Sequence, residues 1–217
     1  MHHRRACGLI VVLTSITCAA TLAPAQSSRQ PVALSDDGAW CWFQDERAII
    51  VGSKLIVGSV ANGRFDAARK GDIDVTVYDL KTHELSRQEL HDQLEPDDHA
   101  VPALWPAPDG RVIAGYSKHG PENCFYVRTT QSASDMTRWT PAMRISPSDT
   151  SRVTYSNLHF LSAENNGRGR LYNFFRGLNA SFKPSFSWSD DAGESWKTGN
   201  VVIDVPAKFR HRPYVKY

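Results

Sequence analysis

The side chains best suited to acid–base chemistry in this sequence stand where strand-like apolar runs begin or end. His99 leads DDHAVPALW, and His119 closes RVIAGYSKH twenty positions later (119 − 99 = 20). Tyr155 lies in VTYSNLHFL, Arg176 ends LYNFFR, Asn62 ends LIVGSVAN and Arg212 lies in RHRPYVKY. An imidazole titrates near neutrality, a phenol gives or takes a proton, and a guanidinium fork matches a carboxylate. Together they suit removal of a weakly acidic proton beside a carboxylate: a cation neutralises the carboxylate, a base takes the proton and an acid protonates the departing oxygen. His99 and Tyr155 are the candidates for base and acid, in either order, and His119 for donor or cation. Arg176, Asn62 and Arg212 are the candidates for binding. Taken singly, each has a plainer reading as a surface histidine, a packing tyrosine, or an arginine paired with Asp97 or Asp98. Their joint placement decides between the two readings.

That placement follows from a repeat. GSKLIVGSVANG, DGRVIAGYSKHG and GRGRLYNFFRG each carry a turn glycine, a basic residue, an alternating run and a closing glycine. The closing glycines are Gly63, Gly120 and Gly177, so the step is 57 twice (120 − 63 and 177 − 120). Trp139 and Trp196 keep the same step (196 − 139 = 57). A unit of this size, with short strands and no amphipathic helix, predicts an all-β fold, a β-propeller with one blade per unit. A β-sandwich is the other all-β candidate, but it gives no reason for so regular a step. Three units and the first strand of a fourth are expected, as the N-terminal part of one propeller domain spanning 26–217. Equivalent positions of neighbouring blades lie side by side, so His99, Tyr155 and Arg212 form one row at the inner strands, and Asn62, His119 and Arg176 a second.

SDDAGESW matches the S-x-D-x-G-x-x-W Asp-box of sialidase-like propellers through Ser189, Asp191, Gly193 and Trp196. Its expected role is structural: the aspartate closes a tight turn and the tryptophan packs between strands. SASDMTRW is a degenerate copy without the central glycine. Asp97, Asp98 and His99 read as consecutive strand residues, whose side chains alternate between faces. No metal and no other cofactor is therefore expected.

The N-terminus reads as a signal peptide over 1–25: MHHRRA is basic, CGLIVVLTSITCAATLA is apolar, and APAQ carries a cleavage signal. The protein is accordingly expected to be secreted or periplasmic, with no membrane anchor after processing. Without Arg4 and Arg5, 25 basic residues become 23 against 23 acidic ones. A near-neutral chain has no nucleic-acid footprint. Cys41 and Cys124 remain, as one disulfide or two buried thiols.

The ordered set DDGAWCWFQDERAI, DDHAVPAL, SKHG, VTYSNL, FFRG, SDDAGESW and RPYVKY resembles the N-terminal half of the BNR-repeat proteins that include the ulvan lyases. The resemblance implies a seven-bladed propeller, an anionic polysaccharide as partner, and chemistry carried by two histidines, a tyrosine and an arginine. By position these correspond to His99, His119, Tyr155 and Arg176. The family commonly has two asparagines after the first histidine, where this chain has Ala100 and Val101. The implied reaction is cleavage of a uronate-containing polysaccharide by β-elimination. Two other classes use the same fold. A sialidase-like hydrolase would draw on Arg47, Arg176, Arg212 and Tyr155, leaving the histidines without work. A non-catalytic carbohydrate-binding propeller would draw on Trp40, Trp42 and Trp105.

Overall fold

Alternating and continuous apolar runs fold here into three antiparallel sheets. The structure, a computed structural model, describes residues 30–41, 44 and 47–204. The three sheets belong to the described residues of the compact unit 33–217. The expected signal peptide, Trp42 and Arg212 lie outside the described residues. Among those described, no helix is long and apolar enough to cross a membrane.

The first sheet contains β1 (Gly38–Ala39), β2 (Ala48–Val51), β3 (Lys54–Ala61), β4 (Ile73–Asp79) and β5 (Leu85–His91). Both β1 and β2 pair with the same edge of β3, at opposite ends of it. The second sheet is a meander of β6 (Ala103–Pro106), β7 (Val112–Tyr116), β8 (Phe125–Thr129) and β9 (Met143–Ile145). The third repeats that order with β10 (Thr154–Leu161), β11 (Arg170–Arg176), β12 (Pro184–Ser189) and β13 (Lys197–Val201). The first strands meet, β2 against β6 and β6 against β10. The all-β expectation holds, and the sheets follow one another as propeller blades do.

Two apolar layers separate the three sheets. Ile56, Val75 and Val77 of the first sheet pack with Leu104, Val112 and Ala114 of the second. Ile113, Phe125 and Val127 then pack with Leu158, Leu171 and Phe175 of the third. Alternation along β7 makes this possible, because successive residues face opposite layers. Each fully buried aliphatic side chain contributes roughly 1.5–3 kcal/mol relative to exposure.

The repeat glycines share one backbone state: φ is +77° at Gly63, +95° at Gly120 and +111° at Gly177. At Gly177 the requirement is absolute, since a Cβ would fall 1.8 Å from the Arg152 carbonyl oxygen. Cys41 and Cys124 are buried and are not joined to each other by a disulfide, which decides between the two cysteine readings.

In the turn before β13, Asp191 accepts from the Ser189 hydroxyl at 2.7 Å and the Ser195 N–H at 2.9 Å. Ser189 Oγ accepts from the Gly193 N–H, and the Trp196 indole donates to the Gly193 carbonyl at 3.1 Å. The Trp196 ring meets Phe125 edge-on at 5.3 Å, tying the third sheet to the second. In the degenerate copy, the buried Trp139 indole N–H has no acceptor among the described residues. Asp191→Ala should therefore destabilise the fold by about 1–3 kcal/mol through lost hydrogen bonds, read as a lower urea midpoint with an unchanged slope.

Candidate functional site

The loop between the first and second sheets brings in His99. Asp97 caps a one-turn 3-10 helix over Asp98–Ala100, with extended backbone (φ −132°, ψ 128°) and a side chain that accepts the His99 N–H at 2.9 Å. His99 therefore sits in a helical turn ahead of β6, not in a strand as the alternation suggested. A short polar side chain at a cap competes well for backbone donors, and this outweighs the strand pattern. Gly58 of β3 lets this loop approach, since a Cβ there would stand 2.7 Å from Pro102 Cγ. Gln44, buried, donates to the His99 carbonyl at 3.2 Å.

Tyr155 enters from a bulge. The pairing of β10 with β11 runs Thr154↔Arg176 and then Asn157↔Phe174, so β10 carries one extra residue between them. Tyr155 lies in the left-handed region, at φ +64°. A bulky residue there carries a strain of order 1–3 kcal/mol, which the surroundings must offset. Arg47, 2% exposed, does so from the first sheet, donating to the Ser156 carbonyl at 2.6 Å and Asn157 Oδ1 at 3.1 Å. Asn157 donates to the Tyr155 carbonyl, and Asn173 accepts the Asn157 N–H. Arg47 is thus a brace of the bulge, and Asn157 and Asn173 are further supports that sequence spacing gave no reason to single out.

These elements bring four of the sequence candidates into one cluster. His99 and His119 stack at 4.2 Å and 23° between ring planes. Each ring lies 5.1 Å from that of Tyr155. His119 Nε2 is 2.7 Å from Tyr155 Oη. The Arg176 guanidinium lies over the Tyr155 ring at 4.6 Å from its centroid, and Nη2 donates to the hydroxyl at 3.4 Å. Tyr155 and Arg176 are each only 6% exposed, whereas the His99 and His119 side chains are 24% and 30% exposed. The imidazoles face solvent, with the phenol and the guanidinium beneath them.

The anion at the centre is Asp97. Its Oδ1 is 2.5 Å from His99 Nδ1, and its Oδ2 is 2.9 Å from His119 Nδ1. Asp98 Oδ1 is also 3.1 Å from His99 Nδ1. The acidic pair that could have neutralised Arg176 is thus engaged by the histidines instead. Burial pushes the Asp97 carboxyl up, but the His99 N–H and the two imidazoles outweigh it and hold the group below its ordinary value. Asp97, His99 and His119 offer donor atoms within 4.8 Å of one another, as do Cys41, Asp98 and His99. Such nitrogen, oxygen and sulfur sets are of the type that binds zinc. The strand-alternation argument against a metal does not apply to residues in a 3-10 turn.

Asn62 is exposed at the end of β3, where its Oδ1 accepts the Arg64 N–H at 2.8 Å. Its side chain closes its own turn and makes no hydrogen bond to the cluster. Trp105 stacks on Phe160 at 4.9 Å as packing, and Trp40 is 54% exposed. The loop after His119 and the loop before Tyr155 together line a cleft of about 530 Å³ with Pro121, Glu122, Asn123, Asp149, Ser151 and Arg152.

Residues 40–217 match the profile of the BNR repeat-containing family. No curated protein matches the chain in sequence. Among solved structures, the fold is similar to a PL25 polysaccharide lyase described as an ulvan lyase, at TM-score 0.59 and 16% identity. The likeness covers 80% of this chain and 41% of that one, with the same figures for that lyase bound to -[GlcA(1-4)Rha3S]-. The polysaccharide lyase Uly1 is similar at TM-score 0.50 and 14% identity, over 82% of this chain and 45% of that one. The chain thus spans less than half the length of these lyases.

A carboxyl held below its unfolded value stabilises the fold above that value, about pH 4, and loses the contribution as pH falls through the lower folded one. The stability difference between wild type and Asp97→Asn should therefore be present at neutral pH and shrink towards zero in acid. Urea unfolding of both proteins across this range is the check.

Proposed function

The chain belongs to the BNR repeat-containing family, and we propose that it is the N-terminal part of a secreted propeller that cleaves a uronate-containing polysaccharide by β-elimination. The observation that carries this reading is the contact of His119 Nε2 with Tyr155 Oη, 2.7 Å long, beside the Arg176 guanidinium. Elimination breaks C5–H and C4–O of the uronate and forms a C4=C5 double bond. The C5 proton passes to a base, and the leaving oxygen receives a proton from an acid. His99 and Tyr155 divide these roles, with His119 accepting from the phenol. Arg176 stabilises negative charge on the Tyr155 oxygen at short range, and its guanidinium is the cation that would neutralise the uronate carboxylate. The cleft of about 530 Å³ between the His119 and Tyr155 loops is the proposed place for neighbouring sugars. In a seven-bladed propeller the remaining blades would complete the surroundings of this site.

The hydrolase reading loses support because Arg47 is buried and braces the bulge, so it is not available to clamp a carboxylate.

In the full-length protein with a uronate polymer, His99→Ala and Tyr155→Phe should each lower turnover by about two to four orders of magnitude, with binding of intact polymer largely kept. The readout is ultraviolet absorbance of the new double bond. Near wild-type rates in both variants would leave a binding propeller as the better account. Arg176→Lys should also lower turnover, because an ammonium keeps the charge but cannot lie flat over the ring while reaching the hydroxyl.

A further inference from the structure

We propose that Asp97 is the positioning residue of this site, a single carboxylate that holds both His99 and His119 as the tautomer protonated at Nδ1. The inference rests on the elimination reading for its kinetic consequence, but not for its structural one. An ionised carboxylate only accepts hydrogen bonds, so each Nδ1 that faces it must carry the hydrogen. The distances, 2.5 Å to His99 and 2.9 Å to His119, leave no room for an intervening group. In a neutral ring the other nitrogen is then an acceptor. For His119 that nitrogen is the one 2.7 Å from Tyr155 Oη, so the phenol donates to it. Asp97, His119 and Tyr155 form one chain of hydrogen bonds, with the phenolic proton directed towards the imidazole.

The surroundings fix the carboxylate itself. Asp97 Oδ1 also accepts the His99 N–H, and the Asp97 N–H donates to the Glu95 carbonyl at 2.9 Å. Glu95 in turn accepts the His119 N–H through its own side chain. The loop that carries His99 therefore grips the loop that carries His119 with two carboxylates. The ring stack at 4.2 Å sets both Nδ1 atoms on the same side, where one anion can serve both. Free histidine has no comparable reason to keep its proton on Nδ1, so the tautomer is an informative signature of this arrangement.

The test is long-range proton–nitrogen NMR of nitrogen-15-labelled protein at alkaline pH, with ring signals assigned from His99→Ala and His119→Ala. In wild type both rings should be protonated at Nδ1. In Asp97→Asn, the amide has one acceptor oxygen and one donor nitrogen, so at least one ring should change to the Nε2-protonated form. Asparagine caps a helical turn about as well as aspartate, so the loop should stay folded. A second variant, Asp97→Ala, removes both contacts and should release His119, while Asp98 Oδ1, 3.1 Å from His99 Nδ1, can still hold that ring. In the full-length protein Asp97→Asn should lower kcat by roughly a hundredfold or more, with KM within about threefold. Two Nε2-protonated rings in wild type would overturn the proposal, as would Asp97→Asn and Asp97→Ala spectra that keep both Nδ1 forms. If the wild-type protein cleaves no uronate polymer while the tautomers shift as stated, the elimination reading fails and the positioning role stands.

Discussion

A carboxylate placed between two stacked imidazoles is the constraint on which the geometry of this site depends. Two neutral rings stacked 4.2 Å apart can exchange tautomers, and one anion shared between their Nδ1 atoms opposes that exchange. The position of that anion is set by a single turn of 3-10 helix, which exists because Asp97 caps it. The turn can reach the neighbouring loop because Gly58 lets Pro102 come against β3. Without the turn, or with a side chain at residue 58, His99 would shift relative to His119.

The phenol is held by a different device. An extra residue in β10 and a left-handed backbone at Tyr155 turn the ring out of the regular strand direction. Such a conformation persists only where neighbouring groups over-determine it. Here the brace comes from Arg47, far away in sequence but adjacent at the inner edges of the sheets. The site therefore depends on all three sheets: Arg47 and Gly58 from the first, His119 from the second, Tyr155 and Arg176 from the third. A lone blade could not hold this arrangement, which gives the repeated stacking of sheets a chemical consequence.

Much of this was legible in the sequence because turns demand particular residues. Gly63, Gly120 and Gly177 announced the period, and all three have the positive φ that only glycine adopts readily. The period then placed His119 and Arg176 at equivalent strand ends, and both lie against Tyr155. Two parts were hidden. Asp97 and His99 read as strand residues, since alternation cannot reveal that a capping aspartate will divert the chain into a helical turn. Asn62 shares the register of His119, but in the first sheet Asp37 closes that turn by accepting the Gly63 and Arg64 N–H groups. Equivalence in a repeat gives a position along the strand, and the local hydrogen bonds decide which way the side chain is used.

If the clustered imidazoles and phenol act by elimination, no water enters the product. The most direct measurement is mass spectrometry of the oligosaccharides released from a uronate polymer by the full-length protein in heavy-oxygen water. The new ends should carry an unsaturated uronate and no heavy oxygen. Incorporation of one heavy oxygen per cleavage would identify hydrolysis and contradict it.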